Sequence, residues 1–301
     1  MLSRRTAIAA LACAAMLHAL PATAQEKVKV VATFSILADL VKNVGGDRVE
    51  IVSLVAPNGD AHVYAPSPAD AKKLADAKVV FTNGLGFEGW IPRLVKASGT
   101  KAPVIVASKG VKARKSEESG HGHDHAEADP HAWQSVANAK IYVVNIRDAL
   151  VAADPAGTAT YEANAAAYSG KLDALETEVK DAIAKIPADR RRIITTHDAF
   201  GYFKAAYGID FIAPQGVSTE SEASAKDVAK IIVQIRKQKI PAVFLENVSD
   251  PRLLERIAAE TGAKIGGTLY SDALTDEKGK APTYIDMVKH NIRTLSAALT
   301  S

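Results

Sequence analysis

One long stretch near the middle of the chain has the strongest periodicity in the sequence. Apolar residues recur there at intervals of three and four, with charged residues between them: Tyr161, Ala165, Tyr168, Leu172, Leu175, Val179 and Ile183. This spacing places one apolar stripe along an α-helix. Pro187 ends the pattern, so we expect a helix over residues 156–186, about 45 Å long at roughly 1.5 Å per residue. Such a helix can join two lobes as a rigid strut.

Short apolar segments alternate with helical patterns on both sides of this stretch. Strands are predicted at residues 27–33, 49–55, 78–82, 103–107, 192–196, 211–213, 242–245 and 264–268. One of the helices between them is predicted over residues 88–97. The alternation is typical of βα units with a mostly parallel sheet. The predicted fold class is therefore α/β, with two βα lobes joined by one long rigid helix.

These patterns divide the chain into four parts, two of which are lobes. Two lobes agree with the length of the chain, which is long for a single hydrophobic core. We expect a signal peptide at 1–24, an N-terminal lobe at 25–153 with a His-rich loop at about 112–130, a linking helix at 154–187 and a C-terminal lobe at 188–301.

The first 24 residues have the composition of a cleavable secretory signal. Arg4 and Arg5 give a basic start, residues 6–20 form an apolar run, and small residues favour cleavage after Ala24. The run is shorter than the ~20 residues that span a bilayer. We expect general secretory export to the periplasm; a twin-arginine route and a lipid anchor on Cys13 are the alternatives.

The amino-acid composition of the chain after signal cleavage excludes several kinds of site. Cys13 is the only cysteine, so the mature chain has no disulfide, no thiolate zinc site and no cysteine nucleophile. The signal also removes two arginines and no acidic residue, which brings 37 basic and 34 acidic residues close to balance. No basic patch indicates nucleic acid, and we expect a monomer.

Four of the eight histidines fall within eleven residues, and three of them alternate with Gly and Asp. His121, His123 and His125 lie in a segment with almost nothing apolar to bury. Such a run is either a solvated linker or a tract that collects metal, because imidazole is the commonest protein ligand for zinc-like ions. We expect weaker, auxiliary zinc binding there.

The fourth clustered histidine, His131, belongs to a second group of metal-capable side chains, which follow predicted strands, two in each half of the chain. This group consists of His62, His131, His197 and Asp272. Ligands of open α/β sheets bind outside the carboxyl ends of the strands, and three imidazoles with one carboxylate suit a four-coordinate metal. Each residue alone is more often a loop, core or capping residue, but their shared placement favours one metal site in the cleft between the lobes.

An acidic residue close in sequence to each histidine could orient it from outside the ligand shell. These residues are Asp60 for His62, Asp129 for His131 and Asp198 for His197. His290, on the predicted last helix, is interpreted as structural.

Five motifs carry a family resemblance: residues 59–66 (GDAHVYAP), 83–90 (NGLGFEGW), 129–133 (DPHAW), 196–202 (THDAFGY) and 270–274 (YSDAL). They resemble the motifs of the metal-binding (zinc/manganese) solute-binding proteins of ABC transporters, across essentially the whole mature chain. The resemblance implies one transition metal between two lobes and assigns its ligands to His62, His131, His197 and Asp272. Many members have Pro before the first ligand, where this chain has Ala61. This difference should affect the stiffness of the loop more than metal ligation.

The resemblance also implies a function: capture of Zn²⁺ in the periplasm and delivery to an ABC permease driven by a cytoplasmic ATPase, with a periplasmic metal chaperone as a further partner. Manganese relatives typically have Glu where this chain has His197, and three neutral imidazoles suit zinc better than manganese. Mn²⁺, or mixed Mn/Zn/Fe binding, stays the alternative, and Asp272 argues toward it.

Two other classes are weighed against transport. A secreted zinc hydrolase needs an open metal position and a general base, whereas four protein ligands would fill the shell and no His-Glu-x-x-His occurs. An adhesin or metal chaperone with the same fold stays open. Because ligands must be deprotonated, we expect metal affinity to fall as pH drops through about 6.5.

Overall fold

The computed structural model describes residues 26–115 and 128–300. The predicted signal peptide with Cys13, and the tract histidines His121, His123 and His125, lie outside these residues.

Four parallel strands form the sheet of the N-terminal lobe, in the spatial order β2-β1-β3-β4. They are β1 (Val28–Ala32), β2 (Val49–Ser53), β3 (Val79–Thr82) and β4 (Val104–Val106). The helices of this lobe are α1 (Ser35–Gly45), α2 (Pro68–Asp76), α3 (Ile91–Ser98) and α4 (Val136–Ala153). Every residue of β3 is buried, as expected for a central strand of a parallel sheet.

The helix predicted over residues 88–97 begins later, at Ile91. The carboxylate of Glu88 turns back instead and accepts the backbone N–H of Asn83 at 2.6 Å and the hydroxyl of Thr33 at 2.6 Å. These bonds hold the segment after β3 as a turn, so the helical pattern starts three residues late.

The C-terminal lobe repeats the topology of the first. Its four parallel strands run in the order β6-β5-β7-β8: β5 (Arg192–Ile194), β6 (Asp210–Ile212), β7 (Ala242–Glu246) and β8 (Lys264–Leu269). Its helices are α6 (Gly201–Tyr207), α7 (Ala225–Gln238), α8 (Arg252–Thr261) and α9 (Tyr284–Leu299). In each sheet the second strand in sequence lies at one edge and the fourth at the other.

The long helix predicted from the periodicity is confirmed as α5 (Thr158–Ala184), which has 27 residues. Its buried residues are the seven of the predicted apolar stripe. The helix packs against α1 and α4 of the N-terminal lobe and against α9 of the C-terminal lobe. One hydrophobic core therefore continues from the first sheet through α5 to α9, and a smaller core lies under α7 and α8.

Within residues 26–115 and 128–300, no helix combines the length and the apolar character needed to cross a bilayer.

Candidate metal centre

The fold brings together the four side chains expected to bind metal. His62 follows β2, His131 opens the short turn before α4, His197 comes just after β5, and Asp272 follows β8. His62 is 6% exposed and the other three are fully buried. One potential ligand atom from each lies within 4.8 Å of all the others. The site therefore lies in the cleft, at the carboxyl ends of strands from both sheets.

The spacing of these atoms fits a small divalent ion. Nε2 of His62 lies 3.3 Å from Nε2 of His131 and 3.4 Å from Oδ2 of Asp272. Oδ2 of Asp272 is 3.0 Å from Nε2 of His197, and Oδ1 is 3.6 Å from Nε2 of His131. Ligands about 2.0–2.1 Å from a tetrahedral ion lie about 3.3 Å apart. The three imidazoles and the carboxylate thus surround a space of the right size.

One carboxylate oxygen of the site, Oδ1 of Asp272, is in a position to bind a cation. Oδ1 of Asp272 is buried and accepts no hydrogen bond from the described residues. A buried carboxylate oxygen without a donor is costly, and a cation in the centre of the cluster would satisfy it.

Asp129, which the sequence pairs with His131, contacts both the backbone and the ring of that residue. One of its oxygens, Oδ1, lies 2.9 Å from Nδ1 of the imidazole and accepts the backbone N–H of His131 at 2.9 Å. The bond at Nδ1 leaves Nε2 directed at the other ligands, the usual arrangement of a metal-binding histidine and its outer carboxylate.

Asp60 acts on the backbone of His62. Its Oδ1 accepts the backbone N–H of His62 at 2.9 Å, and its Oδ2 accepts the hydroxyl of Thr219 at 2.6 Å. Since Thr219 belongs to the C-terminal lobe, Asp60 fixes the first ligand loop against the opposite side of the cleft. The imidazole itself packs edge-on against Phe87, with ring centroids 4.7 Å apart.

The expected contact of Asp198 with the ring of His197 is not formed, and Glu246 lies beside that ring instead. Nδ1 of His197 lies 2.7 Å from Oε2 of Glu246, while Nε2 faces Asp272. Both ring nitrogens of His197 thus lie against other carboxylates, and Asp198 lines a small cavity with Arg114 and Lys204. The partner of His197 comes from the end of β7, 49 residues along the chain.

Sequence reasoning missed Glu246, and one signal could have found it. The residue is a carboxylate that directly ends an apolar strand, β7, and it is only 4% exposed. Acidic residues seldom end a buried apolar strand unless they are paired, so a carboxylate directly after the predicted strand at 242–245 indicated that it has a partner, although no local pattern names that partner.

Aromatic side chains close the N-terminal side of the site. Phe34, Phe87 and Trp133 contact one another with ring centroids 4.9–5.0 Å apart, and Trp133 also contacts the ring of His131 at 5.3 Å. Such a wall excludes water and strengthens electrostatic interactions inside the site.

Protonation of the site is set by its carboxylates. Burial alone would lower the pKa of His131, but the charges of Asp272 and Asp129 outweigh it and raise the pKa to about 9. Burial likewise opposes the charged form of His197, and Glu246 and Asp272 nevertheless raise its pKa well above the usual value. Burial would raise the pKa of Asp272, but His197 and His131 hold it well below the ordinary range. A metal entering the site must therefore displace protons.

His290 lies apart from the cluster, in keeping with a structural role. Its Nε2 contacts the carbonyl oxygen of Thr268 at 3.0 Å and the hydroxyl of Thr294 at 3.2 Å, and its ring packs on Tyr270.

Comparison with known proteins agrees with this arrangement. Residues 30–298 match the ZnuA family, described as zinc-uptake complex component A, periplasmic. The chain is 35% identical over 276 residues to the iron-binding protein YfeA of Yersinia pestis, covering 92% of this chain and 88% of that protein. It is 35% identical over 275 residues to the manganese-binding lipoprotein MntA of Halalkalibacterium halodurans, covering 91% of this chain and 89% of the relative.

A solved structure shares the architecture. The periplasmic zinc-binding protein TroA from Treponema pallidum superposes with a TM-score of 0.84 at 33% identity, over 91% of this chain and 100% of TroA. The chain therefore belongs to the ZnuA family of periplasmic metal-binding proteins, which are the solute-binding components of ABC transporters and are not enzymes.

Proposed function

We propose that this protein captures Zn²⁺ in the periplasm with high affinity and delivers it to an ABC permease for import. The supporting observation is the buried cluster of three imidazole Nε2 atoms and one carboxylate, with separations of 3.0–3.6 Å between neighbouring ligand atoms. Three neutral nitrogen ligands form a soft shell with little charge, which suits zinc better than manganese.

Manganese, or mixed Mn/Zn/Fe binding, is the second candidate. The relatives are named for iron and manganese as well as zinc, and a carboxylate such as Asp272 is a ligand that hard cations accept. Both oxygens of Asp272 face imidazoles, so two-oxygen binding could raise the coordination number toward the value that manganese takes.

The proposal includes a location, a division of the chain and partners. Signal cleavage after Ala24 would leave a monomer with lobes at 25–153 and 188–301 joined by the 154–187 segment; a lipid anchor on Cys13 is the alternative, since relatives are lipoproteins. The partners are a membrane permease, a cytoplasmic ATPase and a periplasmic chaperone that supplies the metal. His121, His123 and His125 would bind additional zinc more weakly.

Elemental analysis of protein purified from its own periplasm tests the cargo directly. We expect close to one zinc per chain, held through gel filtration. A preparation that carries manganese or iron instead would replace zinc by the second candidate. Protein that neither carries metal nor binds any of the three ions in titration would overturn the whole proposal.

A further inference from the structure

We propose that Glu246 is the positioning residue for His197: it fixes the imidazole so that Nε2, and not Nδ1, is presented to the metal. The inference rests on the proposed metal site and identifies a residue outside the ligand set on which that site depends.

Both oxygens of Glu246 act on the same short segment. Oε1 accepts the backbone N–H of Thr196 at 2.7 Å and that of His197 at 3.0 Å. Oε2 lies 2.7 Å from Nδ1 of His197. One carboxylate therefore holds the backbone of the ligand and the near side of its ring, and it ties the end of β5 to the end of β7.

Nδ1 of His197 and Oε2 of Glu246 have no alternative hydrogen-bond partners among the described residues. Both atoms are buried. Their separation is short, but the ring N–H does not point straight at the oxygen in this geometry. Because two buried polar atoms without other partners gain from pairing, a small rotation of the ring on metal binding would complete the bond.

The chemistry of a carboxylate decides which ring nitrogen is free. An ionised carboxylate only accepts hydrogen bonds, so Nδ1 keeps its hydrogen, and it is Nε2 that gives up a proton and offers its lone pair when metal binds. Nε2 already faces the other ligands, 3.0 Å from Oδ2 of Asp272. Asp129 does the same for His131, which gives an imidazole on each side of the cleft a carboxylate behind it.

Glu246→Gln is the informative variant. The amide oxygen can still accept the two backbone N–H groups, but the NH₂ group then faces Nδ1 and donates to it, which favours hydrogen on Nε2 and blocks ligation. We expect Zn²⁺ affinity to fall by roughly 10–100-fold, the usual cost of losing an outer partner of a ligand. Glu178→Gln is the matched control, because it changes only an exposed pair with Lys289, and we expect it to bind Zn²⁺ as the unmodified protein does.

A double-mutant cycle separates positioning from general support of the fold. In a His197→Ala background there is no ring to orient, so adding Glu246→Gln should cost no further Zn²⁺ affinity. An equal loss in both backgrounds would overturn the inference. A cluster that binds no Zn²⁺ tightly even in the unmodified protein, or that is indifferent to His197→Ala, would instead reject the proposed function.

An NMR spectrum of the unmodified protein shows which nitrogen of His197 binds the metal, and this test does not depend on the folding of a variant. Nitrogen-15 NMR of the Zn²⁺-loaded protein should show His197 with hydrogen on Nδ1 and the metal on Nε2. Ligation through Nδ1, or a Glu246→Gln variant with unchanged affinity and ring spectrum, would overturn the role of Glu246.

Discussion

The indole Nε1–H of Trp133 donates to the carbonyl oxygen of Ser271 at 2.9 Å and so ties the neighbour of one expected ligand to the neighbour of another. Trp133 lies two residues after His131, and Ser271 immediately precedes Asp272. The amide of Gln134 donates to the same oxygen at 2.7 Å. The separation of His131 and Asp272 is therefore set by direct bonds between the two halves of the chain.

The segment after Asp272 is attached to the N-terminal lobe as well. The backbone N–H of Leu274 donates to the hydroxyl of Ser35 at 2.9 Å, and its carbonyl accepts the N–H of Asn58 at 2.8 Å. Asp272 is thus held on both flanks by the lobe that carries His62 and His131, although it is encoded in the other half.

Gln134→Leu should loosen this attachment without removing a ligand. Ser271 would keep the bond from Trp133 and lose one of two donors, so we expect a loss of about 0.5–1.5 kcal/mol in the free energy of unfolding. A less constrained Asp272 should also weaken Zn²⁺ binding, by less than the loss of a ligand does. Urea unfolding and competition titration measure the two effects.

Gln234→Leu on α7 is the control for that change, because its amide contacts only Gln238 on the surface. If both leucine variants bind Zn²⁺ alike, the bonds to Ser271 do not position Asp272.

Alanine at His62, His131 or His197 should weaken Zn²⁺ binding far more than alanine at His290. Each of the three removes a direct ligand, so the loss should exceed the roughly 10–100-fold typical of an outer partner. His290→Ala removes only contacts to Thr268, Thr294 and Tyr270. Calorimetric titration with matched protein concentrations compares them, and equal losses for all four would show that the site is assigned wrongly.

The pH dependence of binding should extend above the range expected from free imidazole. The raised pKa values of His131, about 9, and of His197 mean that both rings hold a proton in the metal-free protein at neutral pH. Metal must displace both, so affinity rises with pH, by up to about 100-fold per unit for two protons. Competition titrations at pH 6, 7 and 8 measure the slope; an affinity that is constant above pH 7 would contradict it.

Replacing His121, His123 and His125 together by Gln tests the auxiliary tract at constant chain length. Constant length matters because Lys115 and Ala128, on either side of residues 116–127, pair as an antiparallel bridge. We expect one tight zinc equivalent to persist and the weaker equivalents to disappear in a stoichiometric titration. Unchanged stoichiometry would leave the segment as a linker.

Local patterns predicted most of this molecule, and long-range pairing accounts for what they missed. The apolar stripe of α5 and the strand ends are local features of the sequence, so periodicity locates them. The spacing of Asp129 and His131 is also local, since an Asp side chain often accepts the backbone N–H two residues on, as Asp129 does from His131. Adjacency in sequence did not place Asp198 against the ring of His197, and no local pattern connects His197 to Glu246 or Asp272 to the N-terminal lobe.

A partly buried carboxylate at the junction of the lobes should make stability depend on pH. Asp39 of α1 accepts the backbone N–H of Tyr284, at the start of α9, at 2.9 Å. Burial raises its pKa to about 6, against the bond from Tyr284 and the charge of Lys42, while Asp286 adds to the increase. A carboxyl whose pKa is raised in the folded protein favours folding when protonated. Its contribution is complete below the unfolded value of about 3.9 and is lost as pH rises through about 6.

Asp39→Asn should remove this dependence, because the amide oxygen can still accept the N–H of Tyr284 and cannot ionise. We expect the variant to match the unmodified protein near pH 4 and to exceed its free energy of unfolding above pH 7, by at most about 3 kcal/mol. Asp173→Asn removes an exposed pair with Lys140 and should change stability by less than about 1 kcal/mol throughout. Urea unfolding of metal-free protein from pH 4 to 8 compares the three, and a constant difference between Asp39→Asn and the unmodified protein would refute the role of Asp39.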